Sequence, residues 1–348
     1  MTGTLATGIQ IDGILARAQR LCEPALHEAV NAMPEPLRHM GLYHFGWSDR
    51  EGNPTNSGWG KGLRSALAFA SATACGAEAA AALPAAVAVE LLHNFTLVHD
   101  DVMDGDRLRR GRATVWDVWG APAAICLGDA LHAMAVRVLA GDRRVLAGDR
   151  DAEIADAAVS RLELAAVHVC RGQCQDCAFE ARGHVGIDDY LTMATAKTGV
   201  LMGCACALGA LCAAGETAPL DAFDTFGRDI GLAFQITDDI LGIWGNPART
   251  GKSVGADLMR RKRSFPILTA MESGTSAGQE LSRLFRSSAP ISQAHATRLA
   301  RLMESEGCLQ RCERHADALV RTAVSALPGD VISTDLAALA QFVVHRTR

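Results

Sequence analysis

Three aspartates fall within His99-Asp100-Asp101-Val102-Met103-Asp104, and Arg107, Arg109, Arg110 and Arg112 follow directly. If this segment is helical, Asp100 and Asp104 stand one turn apart on one face, where both carboxylates can hold hard divalent cations. Acids at that spacing repel one another unless positive charge sits among them. Mg²⁺ prefers oxygen ligands and is usually held by one or two carboxylates plus substrate phosphates, so the segment suits a metal-bound diphosphate. The arginines supply planar donors for phosphate oxygens. Taken alone, the motif also reads as a solvated acidic turn with a basic loop behind it.

A second pair, Asp238-Asp239, lies in FQITDDILGIWG at the end of an apolar run with helical pattern. A carboxylate in apolar surroundings is costly unless it is paired or metal-bound, so two such pairs argue against surface decoration. Lys252 and Lys262 follow at a distance suited to a loop folding back over the site, and Lys197-Thr198-Gly199 offers a further cation.

These residues need rigid elements to hold them, and the sequence supplies helices. Nearly half of the chain is apolar, with long Ala-rich stretches, few aromatics and only 2 Tyr, which favours helix over sheet. Apolar residues recur at helical spacing from Ile11 to Met33, before the Pro34 to Pro36 punctuation. Ser48 to Gly60 reads as a polar loop. Lys61 to Leu97 reads as two helices broken at Gly76 and Pro84, the second running into HDDVMD. Further helices are predicted near 128–140, 151–181, 187–214, 218–244, 264–272, 292–306 and 308–326, with no useful strand pattern. Arg137 to Arg143 (RVLAGDR) is copied at once as Arg144 to Arg150, a tandem repeat that marks a tolerant helix end or surface loop. No linker long enough to separate domains follows residue 60, so the expectation is one all-α domain, a helical bundle over 1–348.

The net charge of -5 gives no electrostatic footprint for nucleic acid, although Arg260-Arg261-Lys262-Arg263 is a basic run. The 11 Cys are scattered, and MTGTLATGIQIDG has neither the basic nor the apolar region of a secretion signal, so reduced thiols and a cytoplasmic location are expected. Thr198 to Gly215 is long enough to raise the question of a membrane span. Its Gly, Ala and Cys content favours a buried helix instead, and no transmembrane segment is expected.

LLHNFTLVHDDVMDGDRLRRG, with FQITDDILGIWG and GKSVGADLMRRK, closely resembles the trans-prenyl diphosphate synthases, or polyprenyl synthetases, over roughly residues 58–270. The resemblance implies the helical fold of isoprenoid synthases and head-to-tail condensation of isopentenyl diphosphate with an allylic diphosphate. It implies three Mg²⁺, two bound by Asp100 and Asp104 and a third by Asp238, with Asp239 beside it in the second metal motif. Arg109, Lys197 and Lys252 match positions that grip the allylic diphosphate, flanked by Thr198 and Gln235. Lys61, Arg64, His93 and Arg110 match positions that hold the diphosphate of isopentenyl diphosphate. Asp101, Asp239 and Lys262 match second-layer or closing contacts. In such enzymes departing pyrophosphate is stabilised by the metals and the Lys/Arg set, the allylic C–O bond ionises in a dry apolar pocket, and the isopentenyl double bond attacks. A homodimer is also implied.

Two departures stand out. The second motif has Gly242 where the resemblance expects a third Asp, and GKRxRP appears as Gly60-Lys61-Gly62-Leu63-Arg64-Ser65, with the mapped Lys and Arg retained. Phe95, with Thr96 beside it, sits five positions before the first motif, where a bulky residue floors the product pocket in the family. About 7–8 Å along a helix separates the two. One aromatic there implies a C20 product, with C15 and C25 as the neighbours. A terpene cyclase of the same fold, or a non-catalytic partner subunit, are the alternatives. The retained Lys61, Arg64, His93, Arg109 and Arg110 speak against a cyclase, and the presence of Asp100 and Lys197 speaks against an inert subunit.

Cys170, Cys174 and Cys177 have the spacing of iron-sulfur ligands, but they lie in helical sequence around Gln173 and Asp176 of a GQxxD segment, so packed thiols on one helix face are expected. Cys308, Cys312 and His315 lack a fourth zinc ligand nearby. His93 falls in a polar patch with Glu90 and Asn94, and His99 carries no assignment.

Overall fold

The Ala- and Leu-rich segments form helices throughout a computed structural model in which residues 2–141, 152–214, 218–246, 254–287, 289–329 and 334–345 are described. In chain order they are α1 (Thr2–Asn31), α2 (Leu37–Phe45), α3 (Leu63–Ala74), α4 (Leu83–Met103), α5 (Val115–Trp119), α6 (Ala121–Leu139), α7 (Ala152–Ala181), α8 (Ile187–Ala194) and α9 (Val200–Ala214). There follow α10 (Leu220–Trp244), α11 (Ala256–Met259), α12 (Phe265–Glu272), α13 (Ser276–Arg286), α14 (Gln293–Ser305), α15 (Cys308–Ala326) and α16 (Thr334–Val344). The chain divides into two compact units.

The first unit comprises Met1–Ala166, Cys204–Asp224 and Gly329–Ala338. Its centre is α4, which lies along α6 and also meets α1 and α3. Small side chains permit the approach: Ala85, Ala86 and Ala88 are fully buried on α4. Gly209 comes so close to α3 that a Cβ there would lie 2.1 Å from the Ala68 carbonyl oxygen. Leu67, Leu91, Leu92, Leu127, Leu131 and Leu162 are completely buried, and truncation of such a residue to Ala costs about 2–5 kcal/mol.

Pro84 sits in the first turn of α4, where its missing N–H leaves no bond unmade. Beyond the other end, β1 (Leu108–Arg109) and β2 (Arg112–Ala113) pair antiparallel, Leu108 opposite Ala113 and Arg109 opposite Arg112. The turn between them has φ of 52° at Arg110 and 76° at Gly111. Two consecutive left-handed residues match the right-handed twist of a tight hairpin.

The second unit comprises Val167–Gly203, Thr225–Pro328 and Leu339–Arg348. Here α8 continues through one π-helical turn, Thr195–Gly199, into the start of α9. Helix α10 packs backbone to backbone on that turn. A Cβ at Gly227 would lie 2.4 Å from the Met202 carbonyl oxygen, and one at Gly231 would lie 2.6 Å from the Gly199 Cα. Phe226, Ile267, Leu281, Leu299 and Met303 are completely buried. They include anchors of α12, which packs on α13 and α15.

The predicted helices from 61 to 97 are α3 and α4, parted at Gly76 with φ of 82°. Predicted segment 128–140 begins earlier, at Ala121, because Gly120 and Pro122 together start α6. Helix α13 carries little apolar periodicity, because SAGQELSRLFR offers only Ala277, Gly278 and Leu281 to the interior. The second copy of RVLAGDR lies outside the described residues.

Three helical stretches among the described residues are long and apolar enough to cross a membrane: Ala79–Met103, Ala121–Leu139 and Ile187–Ala213. Their most apolar windows are 72%, 44% and 83% buried within the protein. One expectation needs correction. Cys170, Cys174 and Cys177 do share a helix face, but all are exposed, and it is Val169, Gly172 and Gln173 that α7 turns inward. Cys308 and Cys312 are buried, with the Cys308 thiol donating to the Pro266 carbonyl at 3.3 Å.

Candidate functional site

The last turn of α4 keeps its helical bond, Asp104 N–H to Asp100 C=O at 2.8 Å, so the Asp100 and Asp104 side chains stand one turn apart. Asp100 is half-buried and Asp104 exposed, whereas Asp101 is only 2% exposed. Asp101 is claimed by Arg109. The Arg109 Nη2 lies 2.6 Å from Asp101 Oδ1, and its Nε donates to both carboxylate oxygens at 2.8 and 3.0 Å. Burial raises the Asp101 pKa, against the opposing pull of Arg109. This two-pronged contact ties the hairpin to α4 and fixes Arg109 beside the acidic turn.

Arg110 reaches the loop before α3. A Cβ at Gly60, whose φ is 135°, would lie 3.0 Å from the Arg110 Nη2. Lys61 is exposed in that loop, and Arg64 is half-buried in the first turn of α3. The two departures at 62 and 65 belong together. Gly62 takes φ of 64°, a left-handed conformation that favours glycine, and a Cβ there would lie 3.1 Å from Ser65 Oγ and 3.2 Å from Trp59, while Ser65 bonds back to its carbonyl at 2.9 Å. The Ser65 N–H also donates to Glu90 Oε1 at 3.0 Å, a bond that proline could not make.

The expected polar patch around His93 is present on α4. Glu90 is buried, and burial raises its pKa while the Arg64 charge lowers it. Asn94 donates to the Glu90 carbonyl at 2.7 Å and accepts from His44 at 3.0 Å. Burial, and then the positive charge of Arg64, Arg110 and Arg109, push the His93 imidazole well below the usual histidine range. His93 is thus a neutral hydrogen-bonding group near neutral pH.

Phe95 is buried and clamped by two histidines. His132 stacks on it at 5.3 Å and 21°, and His99 meets it edge-on at 4.8 Å. His132 is itself held by Glu163 at 2.7 Å. His99, unassigned from sequence, bonds the Ile125 carbonyl at 3.0 Å and lies where any Cβ on Gly128 would be, 2.1 Å away. Thr96 turns back to the His93 carbonyl at 2.7 Å.

In the second unit the two aspartates of α10 have different surroundings. Asp238 is half-buried. Asp239 is 1% exposed and takes four donors: Tyr190 Oη at 2.6 Å, the Phe265 N–H at 3.0 Å, Lys262 Nζ at 3.1 Å and Gln235 Nε2 at 3.3 Å. Its expected place among the metal ligands does not fit these contacts, because both oxygens are already engaged. Burial and then the Asp239 charge hold the Tyr190 hydroxyl protonated far above its usual range.

Gln235 also accepts from Thr198 Oγ1 at 2.9 Å, so one chain of bonds links the π-turn to α10. The neighbouring Lys197 pairs with Asp176 at 2.6 Å. That contact depends on Gly172, where a Cβ would lie 2.4 Å from the Lys197 backbone nitrogen. π-Turns of this kind often occur where a side chain must be aimed at a site. Lys252 lies outside the described residues.

The basic run is largely used within the chain. Lys262 pairs with Asp239, Arg261 caps the carbonyls of Leu284, Ser287 and Ala289, and Arg263 lies over the Phe285 ring at 5.1 Å.

Asp176, Tyr190 and His44 were not among the residues assigned to the site from sequence, and Glu90 entered only as part of the polar patch around His93. Asp176 had a signal in the GQxxD spacing, whereas Tyr190 sits in apolar helical sequence that gives none. Among the described residues no group of three or more His, Cys, Asp or Glu converges as a metal cage. Carboxylates one turn apart, one half-buried and one exposed, with Arg109 fixed beside them, fit instead a hard cation that completes its shell with water and phosphate oxygens.

The profile of the family described as "Polyprenyl synthetase" matches residues 53–303. The chain belongs to the polyprenyl synthetase family. It is 46% identical over 333 residues to a "Geranylgeranyl diphosphate synthase" of Mycobacterium tuberculosis, covering 96% of this chain and 93% of that protein. It is 42% identical over 268 residues to a "(2E,6E)-farnesyl diphosphate synthase" of Mycobacterium bovis, covering 77% and 72%. A polyprenyl synthetase of Streptomyces coelicolor A3(2) superposes with a TM-score of 0.87 at 38% identity, covering 96% of this chain and 99% of that one. Family membership thus agrees with the order of the acidic and basic segments along the chain.

Proposed function

We propose that this protein condenses isopentenyl diphosphate with an allylic diphosphate, head to tail, to give a short-chain trans-prenyl diphosphate, geranylgeranyl diphosphate (C20) being the main product. The observation that carries the reading is the acidic turn of α4: Asp100 and Asp104 stand one turn apart on one face while Asp101 holds Arg109 beside them.

Asp100, Asp104 and Asp238 would hold Mg²⁺, three ions being expected with substrate present. When bound, the metal would neutralise charge on the diphosphate as the allylic C–O bond ionises. Arg109 and Lys197, each already aimed by a buried or half-buried carboxylate, would bind phosphate oxygens of the allylic substrate. Thr198 and Gln235 would hold Lys197's turn in place. Lys61, Arg64 and Arg110 would take the diphosphate of isopentenyl diphosphate, with neutral His93 donating a hydrogen bond. Phe95 would end the apolar pocket for the growing chain. Lys252 is carried in the proposal from the family resemblance alone.

The C20 product is supported by the 46% identical relative's name, and the 42% identical relative named for farnesyl diphosphate makes C15 the nearest alternative. A cyclase is not favoured, since it has no use for a second diphosphate pocket. A homodimer, a single functional domain and a cytoplasmic location form part of the same proposal. The test is pyrophosphate release in Mg²⁺ buffer with each substrate alone and with both together. Release that requires both supports condensation, whereas release from an allylic diphosphate alone, with a cyclic hydrocarbon, would replace it with cyclisation.

A further inference from the structure

Arg112 ends the basic run that follows the acidic turn, yet its guanidinium is spent on backbone. Its Nη1 donates to the Tyr43 carbonyl at 2.5 Å and its Nη2 to the His44 carbonyl at 3.0 Å. Both carbonyls lie in the last turn of α2, where the regular helical bonds run out and the helix dipole favours a cation. Gly46 leaves space for the guanidinium: its φ is 83°, and a Cβ there would lie 3.2 Å from Arg112 Nη2.

The contact is returned from α2. The Tyr43 ring lies under the guanidinium, its centroid 5.1 Å from Cζ, and its hydroxyl donates to the carbonyl of Ala113, the residue after Arg112, at 2.8 Å. Tyr43 is 7% exposed and is braced edge-on by Trp119 at 4.9 Å. A side chain of β2 thus caps α2, and a side chain of α2 holds the backbone of β2.

The register of the hairpin gives this clasp a consequence. Arg109 is paired with Arg112 across the ladder, and Arg110 and Gly111 are the two turn residues between them. The residues that flank the turn are fastened to different helices, Arg109 to Asp101 of α4 and Arg112 to α2. Arg110 is exposed, and the two anchors set its backbone. Loss of one anchor lets the turn pivot about the other.

We propose that Arg112 and Tyr43 are positioning residues, whose clasp between β2 and α2 aims Arg110 at the diphosphate of isopentenyl diphosphate without touching the reacting atoms. This rests on the prenyl transfer reading, in which Arg110 takes that diphosphate. Because Arg109 keeps its own anchor on Asp101, the clasp governs isopentenyl diphosphate far more than the allylic substrate.

The experiment compares wild type with Arg112→Gln, Tyr43→Phe and the double variant. The KM for each substrate and kcat are read at steady state, and the Kd for isopentenyl diphosphate in Mg²⁺ buffer is read by calorimetry. Tyr43→Phe removes one hydrogen bond and keeps the ring, so the KM and Kd for isopentenyl diphosphate should rise roughly threefold, whereas Arg112→Gln, which removes two bonds from a charged donor, should raise them roughly tenfold. The KM for the allylic diphosphate and kcat should stay within about twofold of wild type. The double variant should fall short of the product of the two effects, since both contacts restrain one strand. Equal rises for the two substrates, or a fall in kcat with both KM values unchanged, would mark the clasp as purely structural and overturn the proposal. A rise in Arg112→Gln with wild-type values in Tyr43→Phe would overturn it too, by assigning Arg112 to the phosphate itself. Tyr43→Phe carries the test if Arg112→Gln proves unstable. A wild type that binds isopentenyl diphosphate but transfers no prenyl group would reject the proposed reaction, and the Kd series would still decide the role of the clasp. A wild type that does not bind it would overturn both.

Discussion

Replacing Asp239 by Ala should destabilise the protein more than replacing its half-buried neighbour Asp238. Asp239 is 1% exposed, and its loss leaves two buried donors unmet, the Tyr190 hydroxyl at 2.6 Å and the Phe265 N–H at 3.0 Å. Each unmet buried donor costs about 1–3 kcal/mol. The Lys262 side chain is 41% exposed, so water replaces much of what its 3.1 Å ion pair contributes, and that contribution is discounted accordingly. The total comes to about 3–5 kcal/mol, a fall in melting temperature on the order of 5–10 °C. Asp239→Asn keeps the shape and one acceptor oxygen, and should lose about half as much. Asp238→Ala should lose less than half as much melting temperature as Asp239→Ala while lowering kcat/KM by roughly 100-fold or more, as expected for loss of a metal ligand. Thermal melts of the ligand-free proteins, followed by steady-state kinetics at a temperature where all are folded, make the comparison. Equal melting temperatures for the wild type and Asp239→Ala would refute the reasoning, and would return Asp239 to the metal ligands.

Phe95→Ala should lengthen the product by at least one C5 unit, at a stability cost of about 3–5 kcal/mol because the ring is buried and stacked on His132; unchanged alcohols on chromatography would remove Phe95 as the floor. Gly172→Ala forces a methyl toward the Lys197 backbone nitrogen at 2.4 Å, so it should cost about 1–3 kcal/mol and raise the KM for the allylic diphosphate more than that for isopentenyl diphosphate. A pH effect should come from His44, whose pKa is lowered to about 3 by burial and then by the charge of Arg110. Folded His44 binds no proton above that value, while the unfolded imidazole takes one below about pH 6.5. Its stabilising contribution is therefore full above about pH 6.5 and falls by about 2 kcal/mol by pH 5. The stability difference between wild type and His44→Gln should narrow by that amount from pH 7 to pH 5 in urea unfolding, and a constant difference would contradict the assignment.

Much of this was legible because helices declare themselves by period and because the chemistry clusters in short runs. Pro84, Gly76 and the Ala-rich stretch between Lys61 and Leu97 sufficed to place α3 and α4 and to end the latter at the acids. What stayed hidden depends on direction in space. Period alone gives Cys170, Cys174 and Cys177 a common face without saying that it points to solvent. The π-turn at Thr195–Gly199 adds a residue to a helix whose apolar pattern runs on unbroken, and only Gly172 opposite Lys197 reveals why it is there. Asp238 and Asp239 are identical in type and adjacent in sequence, yet 100° of helical rotation gives one a half-exposed position and the other four donors. Nothing in the sequence says that the Asp257 carboxylate comes to lie against the Gly242 backbone, where a Cβ would be 2.5 Å from its Oδ2.

The most direct measurement is incubation of the purified protein with Mg²⁺, labelled isopentenyl diphosphate and C5, C10 or C15 allylic diphosphates, followed by chromatography of the dephosphorylated alcohols. The account predicts a linear C20 alcohol, formed only with both substrates and lost in Asp100→Ala. A linear C15 or C25 alcohol would keep the reaction and contradict the product assignment. No labelled alcohol from any primer would contradict the central claim.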